Sequence, residues 1–197
     1  MKKQQYNVTF GGIGGQGIIK ASELLGWAAM YEGFPVKKSE VHGMSQRGGS
    51  VMTHLKIGDF NSPLVKKGSA DILLSLEKNE AYKTLHYLKP SINGRKGGLC
   101  FINAPDPDFM DPQIRDYLKG QGIETHVFGA DRLARDTGSG QSTNIALIGF
   151  AAAHPGFPFS HDRLKTAIER VTSTKFRETS LKIFTKAYSE GKTSIKP

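Results

Sequence analysis

The chain has 197 residues, of which 38% are hydrophobic, and its 27 Lys and Arg exceed its 18 Asp and Glu by 9. This length predicts a single domain over residues 1–197, and no apolar run is long enough to cross a bilayer, so we expect no membrane association. Cys100 is the only cysteine, which excludes an internal disulfide and an iron–sulfur cluster held by cysteines of this chain alone.

The basic charge and the first residues set expectations about partners and location. An excess of positive charge favours an anionic ligand or an acidic protein partner. The lysines are scattered and no nucleic-acid-binding module is recognisable, so we expect no nucleic acid. No apolar segment typical of a secretion signal precedes the first predicted strand, which predicts a cytoplasmic protein.

The first motif is a glycine-rich loop between a predicted strand and a predicted helix. Residues 6–10 alternate apolar and polar side chains like a short strand, and residues 17–31 carry apolar side chains at helical spacing. Between them, Gly12, Gly14 and Gly17 have the G-x-G-x-x-G spacing of dinucleotide-binding folds. Glycines let backbone N–H groups approach a ligand closely, and the positive end of the following helix favours an anion.

A second test weakens the dinucleotide interpretation of this loop. A NAD-binding unit places an Asp or Glu about 20 residues further on, at the end of the second strand. Here the apolar piece Phe34–Val36 leads into Lys37 and Lys38, and the next acid is Glu40. A glycine turn shaped for a different ligand or for a partner subunit is therefore favoured.

The next motif is a polar segment, Ser39–Ser50, with neither helical nor strand periodicity. We predict an irregular loop here, and a long irregular loop inside a compact domain is usually functional. The alternating residues Val51–Ile57 predict a strand, and Leu64–Val65 is predicted to be extended. Together these two pieces are expected to form a small antiparallel insertion.

The remainder of the chain alternates predicted strands and helices. Such alternation predicts an α/β fold with a doubly wound, mostly parallel sheet of the Rossmann-like type. The alanines and glycine of the helix over residues 145–153 would allow close packing on a sheet or on a neighbouring chain. Strands are predicted over 71–76, 99–103 and 123–128, and helices over 78–88, 112–120, 130–135, 145–153, 163–171 and 181–188.

Two motifs in order give a resemblance to a known family. Gly14–Gly17 followed by Ser39–Val51 resembles the gamma-type subunit of 2-oxoacid:ferredoxin oxidoreductases, and the resemblance extends over nearly the whole chain. Residues 68–71, Glu77 and residues 144–149 contribute to it. The lead-in Val41–Gln46 is most similar to the indolepyruvate branch of the family, in which this type of chain is the beta subunit.

The resemblance implies a division of labour between subunits. A larger partner subunit would carry thiamine diphosphate, Mg and the iron–sulfur clusters. The complex would oxidatively decarboxylate a 2-oxoacid, with coenzyme A as acyl acceptor and ferredoxin as electron acceptor. An aryl pyruvate such as indolepyruvate is implied as substrate, while other 2-oxoacids remain open. The isolated chain is expected to be inactive, and a homodimer is one state that it could adopt.

The two glycine-containing loops form the candidate site. In a doubly wound sheet the loops after successive strands meet at the carboxyl edge, so we expect them side by side. Arg47 offers a fork of donors suited to a carboxylate or phosphate, and His42 can donate or carry a proton near neutral pH. The candidate ligand or subunit-interface residues are Gly12, Gly14, Gly15, Gln16, Gly17, His42, Ser45, Gln46, Arg47, Gly48 and Gly49.

Structural roles remain open for several of these residues. In these roles Arg47 would pair with Glu40 or cap a helix, and His42 would serve as a structural hydrogen-bonding group. Gln16 would tie its loop to neighbouring backbone. No catalytic residue is assigned. No metal ligand is assigned either, since prolines mark the acidic segment 106–111 as a solvated loop. The alternative function is a non-catalytic nucleotide-binding or regulatory α/β module.

Overall fold

The computed structural model describes residues 5–43 and 48–195. Six strands in these ranges form one sheet: β1 Tyr6–Ile13, β2 Val36–His42, β3 Ser50–Ile57, β4 Ile72–Ser75, β5 Leu99–Asn103 and β6 Glu124–Phe128. Their order across the sheet is β2-β3-β1-β4-β5-β6. β1, β4, β5 and β6 are parallel neighbours, whereas β3 is antiparallel to both β1 and β2. The predicted mostly parallel sheet with an antiparallel insertion is confirmed.

The insertion differs in detail from the sequence prediction. Ser39–His42, predicted as part of an irregular loop, belongs to β2, which pairs with β3 from Val36 opposite Ile57 to His42 opposite Val51. β2 lies at the edge of the sheet and is partly exposed along its length, so its side chains lack the apolar–polar alternation by which a strand is recognised. Leu64–Val65 is not part of a strand, and β3 alone is the antiparallel element, between β1 and β2.

Helices cover both faces of the sheet. The described helices are α1 Ile18–Tyr31, α2 Lys78–Thr84, α3 Pro112–Gly120, α4 Ala130–Asp136, α5 Thr143–Ala152, α6 His161–Val171 and α7 Thr174–Ser194, with a 3₁₀ turn at Leu85–Tyr87. α1, α4, α5, α6 and α7 pack on one face, and α2 and α3 on the other. None of the helices in these ranges has the length and apolarity needed to span a membrane.

The two-sided core follows from the alternation of side chains along the central strands. In β4, Ile72 and Leu74 belong to the larger apolar cluster, whereas Leu73 belongs to the smaller one. Phe101 and Cys100 of β5 divide in the same way. Because both faces are covered, these strands are buried throughout and apolar except for their last residues, as is typical of parallel sheets. This packing fixes the carboxyl edge of the sheet, where β1 leads into the glycine loop.

Candidate functional site

The glycine loop after β1 is closed by its own side chain and backbone. Gln16 lies within the loop, and its side-chain oxygen Oε1 accepts a hydrogen bond from the Ile13 N–H at 2.8 Å. The Gln16 N–H in turn donates to the Ile13 carbonyl at 3.1 Å. An added Cβ at Gly12 would lie 2.8 Å from this Oε1, so glycine is needed for the Gln16 side chain to fit. The N–H groups of Ile13 and Gln16 are therefore already bonded within the loop and are not free for a ligand.

The C-terminal end of the loop is held by α5. Gly17 has φ 81° and is the N-cap of α1, and its carbonyl accepts from Asn144 Nδ2 at 3.1 Å. A Cβ at Gly17 would lie 2.7 Å from that nitrogen, so the contact requires glycine. Gly15, with φ 103°, has no other atom within 4 Å of a built Cβ and faces open space. The loop is thus fixed at both ends and open at Gly15.

The second glycine segment lies directly beside the first. The Gly14 N–H donates to the Gly49 carbonyl at 2.9 Å, and a Cβ on Gly14 would be 3.9 Å from the Gly48 nitrogen. These two contacts follow from the sheet, because the end of β1 pairs with the start of β3. The structure therefore brings the glycines of both segments together. Ser45, Gln46 and Arg47 lie outside the described residues.

His42 lies at the end of β2 on an exposed polar ladder. Its Nε2 is 3.3 Å from Glu40 Oε2, and Lys38 Nζ is 2.9 Å from Glu40 Oε1. The hydrogen bond from Lys38 lowers the pKa of the Glu40 carboxyl, so this carboxylate stays ionised at neutral pH. Lys38 also pairs with Glu23 of α1 at 3.2 Å. The contacts of His42 are thus with a surface ion pair.

A buried acid beneath the second segment was missed by sequence reasoning. Glu80 of α2 is 5% exposed; its carboxylate accepts from Ser50 Oγ at 2.5 Å and from Lys83 Nζ at 2.6 Å. Ser50 is the first residue of β3 and directly follows Gly48 and Gly49. The hydrogen bond from Ser50 to Glu80 therefore fixes the C-terminal end of the second glycine segment. A glutamate on a predicted helix next to Lys83 gives no sign of this contact, because Ser50 is 30 residues away.

A chain of polar side chains extends along the carboxyl edge. Asn103, the last residue of β5, donates from Nδ2 to the Leu76 carbonyl at 3.0 Å and to Asp131 Oδ2 at 2.9 Å. Asp131 also accepts from Thr143 Oγ1 at 2.5 Å. Thr143 precedes Asn144, so this network links the end of β5 to the glycine loop. The one signal in the sequence is an Asn at the end of a buried strand.

Comparison with known proteins decides the family. The sequence pattern described as pyruvate ferredoxin/flavodoxin oxidoreductase matches residues 7–190. The chain belongs to this family. It is 36% identical to indolepyruvate oxidoreductase subunit IorB of Thermococcus kodakarensis and to the same subunit of Pyrococcus horikoshii, in each case over 92% of this chain and 93% of the relative. The predicted family resemblance is confirmed.

A solved structure shares the fold of this oxidoreductase family member. The gamma subunit of a keto/oxoacid ferredoxin oxidoreductase from Geobacter sulfurreducens superposes with a TM-score of 0.74. The match covers 96% of this chain and 99% of that chain, at 23% sequence identity. The similarity therefore includes the six-stranded sheet and its insertion, the elements that place the two glycine segments together.

One cluster in the described part of this family member has the residue types of a metal site. The ligand atoms of Glu124, His126 and His154 lie within 4.8 Å of one another, near the amino end of β6 and away from the glycine loops. His154 Nδ1 accepts from the Gly156 N–H at 2.9 Å, so in the neutral ring Nε2 carries the proton, which it donates to Glu124 at 3.0 Å. Both ring nitrogens of His154 are thus engaged in hydrogen bonds, and a metal at Nε2 would have to displace the proton shared with Glu124. The geometry therefore fits a hydrogen-bonded histidine.

Proposed function

We propose that this chain is the smaller subunit of an indolepyruvate-type 2-oxoacid:ferredoxin oxidoreductase that acts in the cytoplasm. The observation that carries the proposal is the 36% identity to indolepyruvate oxidoreductase subunits over 92% of the chain. An aryl pyruvate is accordingly the favoured substrate. The contact between the two glycine segments, which carry the motifs shared with that branch, supports the same assignment.

The reaction assigned to the complex is an oxidative decarboxylation. The bond between the carbonyl and carboxylate carbons of the 2-oxoacid breaks and releases CO₂. The acyl carbon forms a thioester with coenzyme A, and two electrons pass to ferredoxin. Thiamine diphosphate with Mg would supply the carbanion chemistry on the larger subunit, which would also hold the iron–sulfur clusters.

The described residues of this chain fit a supporting part in that reaction. Cys100 is the one cysteine, and burial raises the pKa of its thiol, so it is unsuited to bind a cluster. The glycine loops instead offer a backbone edge open at Gly15, where a coenzyme or the partner's surface can approach closely. We assign to this edge one wall of the coenzyme A path or of the active-site entrance.

Reconstitution tests the division of labour. Reduction of a dye by indolepyruvate and coenzyme A is measured with this chain alone, with the larger subunit alone and with both. We expect activity only from the mixture, and a higher kcat/KM for indolepyruvate than for pyruvate or 2-oxoglutarate. Activity of this chain alone would refute the proposal.

The role of the second segment is tested at Arg47, which directly precedes Gly48 and Gly49 in the second motif. Arg47→Ala removes a guanidinium suited to a carboxylate or phosphate, and we expect the KM for coenzyme A in the complex to rise by about tenfold or more. Arg95→Ala is the control, because Arg95 precedes β5 at the opposite edge of the sheet. Unchanged turnover and coenzyme A affinity in the Arg47→Ala complex would contradict this placement.

The alternative function is a nucleotide-binding or regulatory module outside catalysis. The spacing of Gly12, Gly14 and Gly17 favours it, but the bonded N–H groups of Ile13 and Gly14 oppose it. Calorimetry of the full chain with NADH and NADPH separates the two proposals. We expect no dinucleotide binding, and tight binding would support the alternative.

A further inference from the structure

A cavity of about 350 Å³ lies among the N-terminal parts of three helices, on the face of the sheet that carries α1. α1 contributes Lys20 and Glu23, the segment before α5 contributes Ser139 and Ser142, and the junction of α6 and α7 contributes Ser173 and Phe176. A volume of this size suits a small organic molecule. We propose that the cavity binds a small phosphate ester that carries a planar apolar group.

The positive ends of two helices open on this cavity. Ser142 is the N-cap of α5 and Ser173 is the N-cap of the 21-residue helix α7, and neither side chain caps its helix. The Ser142 hydroxyl instead lies 2.9 Å from Ser139 Oγ. N–H groups in the first turn of a helix, together with its dipole, favour a phosphate placed against them.

An unpartnered hydroxyl on a buried residue of the cavity wall provides independent evidence for a ligand. Ser180 lines the cavity seven residues after Ser173, two turns along the same face of α7, and is only 4% exposed. Its hydroxyl forms no hydrogen bond with any residue in the described ranges. The residue is buried but its oxygen is accessible, and Ser180 lines the cavity, so the hydroxyl is free to donate to a phosphate oxygen placed there.

One cation in the cavity wall is available to an anion. Lys20 is exposed and makes no ion pair within the part of the chain that the structure describes, so its charge is available. Glu23 also lines the cavity, and its carboxylate is 3.2 Å from Lys38 Nζ, which it shares with Glu40 at 2.9 Å. The charged side chains of the wall therefore nearly cancel, and the attraction for a phosphate comes from Lys20 together with the two helix ends.

The rim of the cavity accounts for the apolar part of the ligand. Val171 and Phe176 both line the cavity and remain 39% and 51% exposed. A planar group stacked on Phe176 would cover this surface while the phosphate lies at the helix ends. Asn144 lines the same cavity and bonds to the Gly17 carbonyl, so a bound ligand would brace the glycine loop as well.

Calorimetry of the full chain tests the proposal with AMP as probe, beside adenosine and inorganic phosphate. AMP supplies both a phosphate and a planar group, so we expect it to bind at least about tenfold more tightly than either part alone. Ser180→Ala and Lys20→Gln should each weaken AMP binding by about fivefold to tenfold. Lys119→Gln, on α3 across the sheet, should leave it unchanged.

Each result bears on the site itself. Absence of AMP binding at millimolar concentration, or binding that neither variant weakens, would overturn the proposal. Lys20→Gln changes an exposed side chain, so it keeps the test valid if Ser180→Ala impairs folding. The measurement uses neither the larger subunit nor a 2-oxoacid, so its failure is distinguishable from failure of the proposed function.

Discussion

Gly17 and Gly15 share a left-handed backbone conformation but differ in what surrounds them. An added Cβ would lie 2.7 Å from Asn144 Nδ2 at Gly17, whereas at Gly15 it meets nothing within 4 Å. Both alanine variants incur the backbone strain of about 1–2 kcal/mol. Gly17→Ala also displaces the Asn144 contact, so we expect it to lower the free energy of unfolding by about 2–4 kcal/mol in total. Urea unfolding of the two variants measures the difference, and equal losses would contradict the role of Asn144.

The Ser50–Glu80 contact makes a second prediction for a single residue. Ser50→Ala leaves the buried Glu80 carboxylate with Lys83 as its remaining side-chain partner. We expect a loss of about 1–2 kcal/mol in the free energy of unfolding. Ser189→Ala is the matched control, since Ser189 is exposed and its hydroxyl donates to the Thr185 carbonyl one turn earlier in the same helix. If both variants lose the same amount, the buried contact does not stabilise the base of the second segment.

Among the elements, the strands with both faces buried could be predicted from the sequence, whereas the full length of the edge strand β2 could not. β4 and β5 are buried along their whole length and apolar up to their last residues, Ser75 and Asn103, a pattern that marks a strand regardless of its neighbours. β2 is polar because it lies at the edge, so its sequence resembled a loop. The first turns of α7, residues 174–180, are mostly exposed and polar, so the prediction began only at Leu181, where apolar spacing starts.

The contact between α5 and α7 depends on glycines in both helices. A Cβ on Gly149 of α5 would lie 2.6 Å from the Phe184 carbonyl oxygen, and one on Gly191 would lie 2.7 Å from Ala153 Cβ. We expect Gly149→Ala to lower the free energy of unfolding by about 2 kcal/mol or more, because the helices must separate. Gly120→Ala, at the end of α3, meets no atom within 4 Å and should be neutral or stabilising by up to about 1 kcal/mol. Thermal unfolding of both variants checks this, and a Gly149→Ala protein as stable as wild type would contradict the close approach.

At the scale of the whole molecule, the order of the strands brings together segments that are far apart in the sequence. The adjacency of the two glycine segments followed from the predicted sheet, because β1 and the strand after the second segment meet at one edge. Asn103, Asp131 and Asn144 could not be placed there, since their contacts join positions 28 and 127 residues apart. The periodicity of a sequence indicates which face of a helix or strand is buried. It does not indicate which polar residues at the ends of different elements come into contact.

Buried histidines make the stability of the whole molecule depend on pH. His54 is 2% exposed, and its Nδ1 has no hydrogen-bond partner in the described ranges. Burial, and then the charge of Lys56, lowers the pKa of His54; burial, and then His154, lowers the pKa of His126. The unfolded chain therefore binds protons more readily than the folded one, and stability falls as the pH drops below the unfolded pKa of about 6.5.

The slope of this loss cannot exceed about 1.4 kcal/mol per pH unit for each histidine, because each binds one proton. His54→Phe removes one titrating group while keeping a ring against Tyr87, whose centroid is 5.2 Å from that of His54. We expect urea midpoints of this variant to fall less between pH 7 and about pH 5 than those of wild type. His42→Gln, which changes an exposed ring, should follow the wild-type profile. A wild-type profile in His54→Phe would show instead that the acid sensitivity arises at other groups.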